Sequence, residues 1–229
     1  MDDPSTATLP PRRLAVLISG EGTNLQALIN AQNTLSLPNT CIVLVLSNRK
    51  NARGLIHAST TLPLIPTAYL SLQPFLKSNL GKTLEDYNVE VAHIVLHAKP
   101  DAVVCAGFMH IVSEGFLDVF KGTRILEGKE VLAREVPMIN IHPALFGQFD
   151  GFEAFQKGEV DELGIMVHCV VKEVDHGEPL IQRRVKVVKE EAIEAYEERL
   201  HKVEWEIIVE ATWIVLDEVQ LPLSSNSSS

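Results

Sequence analysis

Residues 14–31, LAVLISGEGTNLQALINA, decide the fold of this chain. Leu14–Ile18 is an unbroken apolar run of strand length, and apolar residues recur at helical spacing from Leu25 onward. A glycine-rich turn at 20–24 joins the two. A buried strand that passes through glycines into an amphipathic helix is typical of a parallel sheet covered by helices.

The turn also predicts a ligand. It offers several backbone N–H groups and the positive end of a helix dipole, which together suit a phosphate. Leu25 replaces the third glycine of the dinucleotide pattern, and the next strand ends at Ser47-Asn48-Arg49 without an acidic residue for a ribose hydroxyl. We therefore expect a phosphate monoester. The alternative is a plain strand-to-helix turn capped by Thr23 or Asn24.

The rest of the chain continues the alternation of apolar runs and amphipathic stretches. Strands are predicted at Leu14–Ile18, Ile42–Leu46, Ala102–Cys105, Met138–Ile141, Met166–Val171 and Ile181–Val187. Helices are predicted at Thr23–Gln32, Ala52–Thr60, Thr83–Ala98, Glu114–Phe120, Gly151–Lys157 and from about Glu190 to Glu218. The pattern favours an α/β fold: a mostly parallel, Rossmann-like sheet flanked by helices, with an antiparallel C-terminal extension and a long C-terminal helix.

Composition limits the class of protein. The 229 residues are 46% hydrophobic and 22% charged, as in an ordinary folded protein. We expect a single domain at 13–220, disordered segments at 1–12 and 221–229, and an insertion at 121–136. The net charge of -10 weighs against nucleic acid and membrane surfaces as partners. No signal peptide or apolar run of about 20 residues is present, so a cytoplasmic protein is expected.

The cysteines and histidines predict no metal site. Cys41, Cys105 and Cys169 each lie in an apolar run without a CxxC pair, which indicates reduced thiols buried in strands. His93 and His97 have zinc-like spacing, but the glutamate of HExxH and a third ligand are missing.

Two further segments carry polar groups that could act together. Asn140 and His142 are two residues apart at the end of a predicted strand, so both side chains point to one side of the carboxyl edge of the sheet. The alternative is a polar pair that merely closes the strand. Residues 172–179, KEVDHGEP, predict a hairpin-like turn whose acid could reach His142 if the strands are neighbours.

Taken together, these motifs resemble the folate-dependent glycinamide ribonucleotide (GAR) formyltransferases of purine biosynthesis. SGEGTNLQALI resembles that family's SGxG[ST]NLQ, and PDAVVCAGFMHIVS resembles PDxxVxAGFMRILS. INIHPAL is similar to NIHPSLL, and GIMVHCVVKEVDHGEPLIQ to GxTVHxVxxExDxGPxIxQ. The resemblance runs from about Leu14 to Val219 and implies the formyltransferase fold.

The resemblance also implies roles for individual residues. The catalytic trio would be Asn140, His142 and Asp175. The ribonucleotide would contact Gly22, Thr23, Asn24, His201, Lys202, Val203 and Glu204. The co-substrate 10-formyltetrahydrofolate would contact Met109, His110, Ile111, Val112, Asn140, Val171, Lys172, Glu173, Val174 and Asp175. The implied partners are small molecules only, with no metal, in a monomer or weak homodimer.

The chain departs from the family pattern at the folate site. His110 replaces an arginine, and Leu84 aligns near a second arginine that contacts the folate tail, so Lys82 is a candidate substitute cation. A methionyl-tRNA formyltransferase would be expected to keep the sequence SLLP after the motif histidine, where this chain has ALFG at 144–147, and to carry an additional basic domain. A formyltetrahydrofolate hydrolase would be expected to carry an N-terminal regulatory domain. A non-catalytic phosphate-binding module is the remaining alternative. It would keep its ligand affinity when the trio is replaced.

Overall fold

The computed structural model describes residues 9–124, 132, 134–145, 162–188 and 191–220, and within them seven strands form one sheet. The sheet has the order β3-β2-β1-β4-β5-β6-β7. Neighbouring strands from β3 to β5 are parallel, whereas β6 runs antiparallel to β5 and β7 to β6. The strands are β1 Arg12–Ile18, β2 Thr40–Ser47, β3 Thr67–Tyr69, β4 Ala102–Cys105, β5 Met138–His142, β6 Glu162–Cys169 and β7 Pro179–Lys186. The predicted fold class is confirmed.

Helices cover both faces of this sheet. Those in the described part of the chain are α1 Thr23–Ala31, α2 Arg53–Ser59, α3 Leu72–Ser78, α4 Leu84–His97, α5 Glu114–Phe120 and α6 Ile193–Gln220. The predicted helix Gly151–Lys157 lies outside the described residues, as do residues 1–8, 221–229 and half of the predicted insertion, namely 125–131 and 133. Two elements were not predicted, β3 and α3. β3 is three residues long, and α3 contains Pro74 and buries no side chain.

The two faces of β1 explain its uninterrupted apolar sequence. Leu14, Val16 and Ile18 pack in the core layer that also contains residues of α1 and α6. Ala15 and Leu17 belong to the opposite layer, which contains residues of α4 and α5. All five side chains are fully buried. A central parallel strand covered on both sides has no solvent-facing positions, so its sequence does not alternate.

The long helix α6 spans 28 residues, or about 42 Å at the usual rise per residue. It packs against α1, β6 and β7. Its buried apolar residues begin at Tyr196 and, from Ile207 onward, recur at steps of one, three and four, namely Ile207, Ile208, Ala211, Val215 and Leu216. Its far end is held by Arg134, which donates to the carbonyl of Val219 at 3.1 Å.

Asp101 ties several segments together at the amino edge of the sheet. Its Oδ2 accepts the backbone N–H of Arg13 at 2.7 Å, and its Oδ1 pairs with Arg134. The Arg13 side chain donates to the carbonyls of Ala98 and Lys99, at the end of α4. The start of β1, the end of α4 and the end of α6 are therefore linked through the half-buried Asp101 and the two arginines that it binds.

The cysteine prediction is only partly correct. Cys105 is buried, and desolvation raises the pKa of its thiol to about 12. Cys169 is half-buried, and its pKa is raised chiefly by burial. Cys41 is exposed, because it points away from the buried Ile42 at the amino end of β2.

Candidate active site

A cleft of about 500 Å³ opens at the carboxyl ends of β4 and β5. One wall is the segment that follows β4, and the other is the turn between β6 and β7. Its lining includes Gly107, Phe108, Met109, His110, Ile111, Val112, Asn140, His142, His168, Val171, Lys172, Val174 and Asp175. This is the edge at which open α/β sheets bind ligands.

The last residues of β5 place two polar side chains in this cleft. Asn140 and His142 both line it, as expected for residues two apart in a strand. Nδ1 of His142 lies 3.6 Å from Oδ2 of Asp175, and Nδ2 of Asn140 lies 3.4 Å from Oδ1 of the same carboxylate. The structure thus brings the three predicted catalytic residues together around Asp175.

Asp175 is held by the geometry of its turn. It has a positive φ of 56°, a left-handed conformation that aspartate and asparagine tolerate better than most residues. Two residues later, a Cβ on Gly177 would overlap the carbonyl of Cys169, so only glycine lets the turn fold back against β6. The tight turn points the carboxylate at β5.

His168 is a site residue that the sequence analysis did not single out. Its side chain is 3% exposed, and Nδ1 donates to the carbonyl of Cys169 at 2.9 Å. Nε2 then faces both Nδ2 of Asn140 and Oδ1 of Asp175, at 3.3 Å each. A neutral ring accepts from the Asn140 amide, whereas a charged ring donates to Asp175. In either state His168 helps to orient Asn140 or Asp175, which both line the cleft.

The glycine-rich turn has the form expected of an anion site. Gly22 is the N-cap of α1 with φ 78°, and no side chain caps the helix, so the capping alternative for Thr23 and Asn24 is wrong. A Cβ on Gly22 would lie 2.6 Å from the Cα of Gly54, which shows how closely α2 supports the turn. The first N–H groups of α1 remain available to a ligand.

A second group of side chains lies beside this turn. Glu204 is 9% exposed, and its Oε2 accepts from Nδ1 of His201 at 2.9 Å and from Nδ2 of Asn24 at 3.5 Å. Lys202 instead pairs with Glu198, and Val203 packs against the core. Of the predicted ribonucleotide residues on α6, the structure thus brings His201 and Glu204 to Asn24, but not Lys202 or Val203.

The apolar wall of the cleft contains a buried polar pair. Nε2 of His110 donates to Oδ1 of Asn88 at 2.7 Å, and the His110 ring makes edge contacts with Tyr87 and Phe108. Burial lowers the pKa of His110, so its imidazole is uncharged near neutral pH. His110 therefore does not supply the permanent charge of an arginine.

The charged groups predicted for the folate site are only partly in place. Lys172 lines the cleft and pairs with Glu114 at 2.8 Å, which links its two walls. Glu173 is exposed and does not line the cleft. Lys82 pairs with Asp86 on the first turn of α4 and does not line it either.

The described residues form neither a metal-binding cluster nor a membrane-spanning helix. Within those ranges, no three His, Cys, Asp or Glu side chains are grouped so that they could hold a metal ion. None of the helices they form is both long and apolar enough to span a bilayer.

Comparison with known proteins identifies the family. The model of the "Formyl transferase" family matches residues 12–212. The phosphoribosylglycinamide formyltransferase of Schizosaccharomyces pombe is 39% identical over 209 residues, covering 86% of this chain and 94% of that protein. Its namesake in Saccharomyces cerevisiae is 38% identical over 225 residues, covering 90% and 98%. The crystal structure of glycinamide ribonucleotide transformylase 1 from Geobacillus kaustophilus superposes with a TM-score of 0.72 at 28% identity, covering 90% of this chain and 99% of that one. The chain therefore belongs to the formyl transferase family.

Proposed function

We propose that this protein transfers the formyl group of 10-formyltetrahydrofolate to the amine of glycinamide ribonucleotide, as a step of de novo purine (IMP) biosynthesis. The products are formylglycinamide ribonucleotide and tetrahydrofolate. The observation that carries the proposal is the meeting of Asn140, His142 and Asp175 at the floor of the cleft. The names of the fungal relatives support the choice of substrate.

The reaction needs donors at one point in space. The substrate amine attacks the formyl carbon, and negative charge develops on the formyl oxygen of the tetrahedral intermediate. The bond from that carbon to N10 of the folate then breaks. One amine proton is lost and N10 gains one, so the reaction is a neutral exchange overall. Donors that are held near this oxygen, such as an amide N–H and a protonated imidazole, would lower the barrier because they need no reorganisation during the reaction.

Asn140 and His142 suit this role. Both lie on one strand and line the cleft, and because Nδ1 of His142 faces Asp175, its Nε2 is the ring nitrogen that would donate to the substrate. The Asp175 carboxylate, 3.6 Å from Nδ1 of His142, is close enough to assist the proton transfer from the attacking amine, directly or through water. The Asn140–His168 contact holds the amide in position from behind.

The two substrates would occupy different parts of the site. The phosphate of the ribonucleotide would bind the N–H groups of Gly22, Thr23 and Asn24, and its glycinamide end would lie toward Glu204 and His201. The folate would occupy the cleft between Met109–Val112 and the turn that contains Lys172. In this arrangement the N-terminus of α1, rather than lysine or arginine side chains, would bind the phosphate.

The test is to mix the purified protein with both substrates and follow the folate absorbance together with the formation of formylated nucleotide. Stoichiometric product is expected. Tetrahydrofolate without formylated nucleotide would indicate a hydrolase. No turnover by a folded protein, with phosphate ligands still bound, would indicate a binding module and overturn the proposal.

A further inference from the structure

One segment of the cleft wall is held by side chains that belong to neither the trio nor the ligand contacts proposed above. Met109 lines the cleft, and its own side chain is 71% exposed. Its backbone N–H donates to Oγ of Ser19 at 2.7 Å. Its carbonyl accepts from Nδ2 of Asn48 at 3.3 Å. Both main-chain polar groups of this residue are therefore bound to distant side chains.

Ser19 and Asn48 also bind each other. The Ser19 hydroxyl donates to Oδ1 of Asn48 at 2.6 Å, which closes a ring of three hydrogen bonds. Ser19 is 5% exposed and uses its hydroxyl both as donor and as acceptor here. This restricts the geometry, because moving Met109 or Asn48 away would leave the buried Ser19 hydroxyl without one of its two partners.

This ring of hydrogen bonds joins two separate parts of the candidate site. Ser19 lies directly before the glycine-rich turn, Asn48 follows β2, and Met109 lies in the segment that follows β4. The ring therefore connects the edge of the phosphate turn to the wall of the cleft, across 90 residues of sequence. The segment from Ala106 to Ser113 belongs to no helix or strand, so its position depends on contacts of this kind.

We infer that Ser19 and Asn48 are positioning residues that hold the Met109 peptide, and with it the folate wall, at a set distance from the phosphate turn. Neither residue is expected to touch the reacting atoms. The inference rests on the proposed function for its substrates. It predicts that loss of the ring weakens folate binding and lowers turnover, while the affinity for the ribonucleotide changes little.

The test uses Ser19→Ala, with Ser47→Ala as the matched control. Ser47 is buried like Ser19, but within the part of the chain that the structure describes its hydroxyl bonds to the backbone of Arg49 and not to Asn48 or Met109. Ser19→Ala should raise the KM for 10-formyltetrahydrofolate about tenfold and that for the ribonucleotide less than threefold. Ser47→Ala should change neither KM by more than about twofold. Amide hydrogen exchange at Met109 should accelerate in Ser19→Ala alone.

Asn48→Asp is the second variant, for use if Ser19→Ala fails to fold. Aspartate still accepts from Ser19 but places an acceptor opposite the Met109 carbonyl, so the same rise in folate KM is expected. Equal rises in both KM values, or the same rise in Ser47→Ala, would overturn the inference. If the wild type shows no formyl transfer, the affinity for tetrahydrofolate measured by calorimetry and the amide exchange rate of Met109 still test the role of these hydrogen bonds. Both measurements are independent of the proposed function.

Discussion

Replacing Asp175 by asparagine tests the core of the proposed mechanism. Asparagine has nearly the same size and tolerates the positive φ of 56° at this position, so the turn should keep its shape. The substitution removes the negative charge that lies 3.6 Å from Nδ1 of His142. What is lost is the attraction between this carboxylate and an imidazolium ring in the transition state.

The size of that loss follows from Coulomb's law. At 3.6 Å and an effective dielectric of about 20, the attraction amounts to about 4.6 kcal/mol. The two side chains are 22% and 32% exposed, so a dielectric of about 40 and about 2.3 kcal/mol set the lower limit. At about 1.36 kcal/mol per tenfold change, kcat should fall between about 50-fold and 2,500-fold.

Steady-state kinetics with both substrates measures this fall, and circular dichroism checks the fold. Glu178→Gln is the charge-matched control, because it removes one negative charge from the same turn at an exposed position outside the cleft. It should leave kcat within about twofold of the wild type. The reasoning is refuted if Asp175→Asn keeps kcat within fivefold, or if only its KM values rise.

Three other predictions concern Gly54, Asp101 and His110. Gly54→Ala would place a Cβ 2.5 Å from Cδ1 of Ile18 and 3.2 Å from the Cα of Gly22. Because both neighbours adjoin the glycine-rich turn, it should raise the KM for the ribonucleotide more than that for the folate; equal effects would contradict this support. Asp101→Ala leaves the backbone N–H of Arg13 unpaired and should cost about 1–3 kcal/mol in urea unfolding. Asp101→Asn keeps an acceptor and loses mainly a half-exposed ion pair, so it should cost less than about 1 kcal/mol, and equal losses would contradict the assignment. His110 has a lowered pKa in the folded protein, so the unfolded chain binds the proton first, and stability from this residue is lost as pH falls below about 6.5. Urea unfolding at about pH 7.5 and 5.5 should therefore show a smaller pH dependence in His110→Gln than in the wild type; an equal dependence would show that His110 does not contribute.

Local patterns were sufficient for the elements that carry the site. The apolar run of β1 and the spacing of Asn140 and His142 depend only on strand geometry, and the structure places both as expected. The glycine turn was predictable because the conformation it requires excludes other residues. β3 escaped prediction because it is a three-residue edge strand that is held by backbone hydrogen bonds to β2.

Contacts between distant strands were not predictable from local patterns. His168 stands opposite Asn140 because β6 pairs antiparallel with β5 in one register, and a shift of one residue would turn its ring to the other face. The bond from Met109 to Ser19 joins residues that are 90 positions apart. Nothing in the identity of either residue indicates its partner.

The length of α6 restricts how the chain can diverge. The helix must turn Glu204 toward Asn24 while the stripe that begins again at Ile207 faces the sheet. One residue inserted between the two would rotate them by about 100° relative to each other, so either the carboxylate or the apolar stripe would lose its partner. This part of the helix can therefore tolerate substitutions but not insertions or deletions. The angle about the helix axis between the face that carries Glu204 and the face that packs on the sheet cannot change while both contacts are kept.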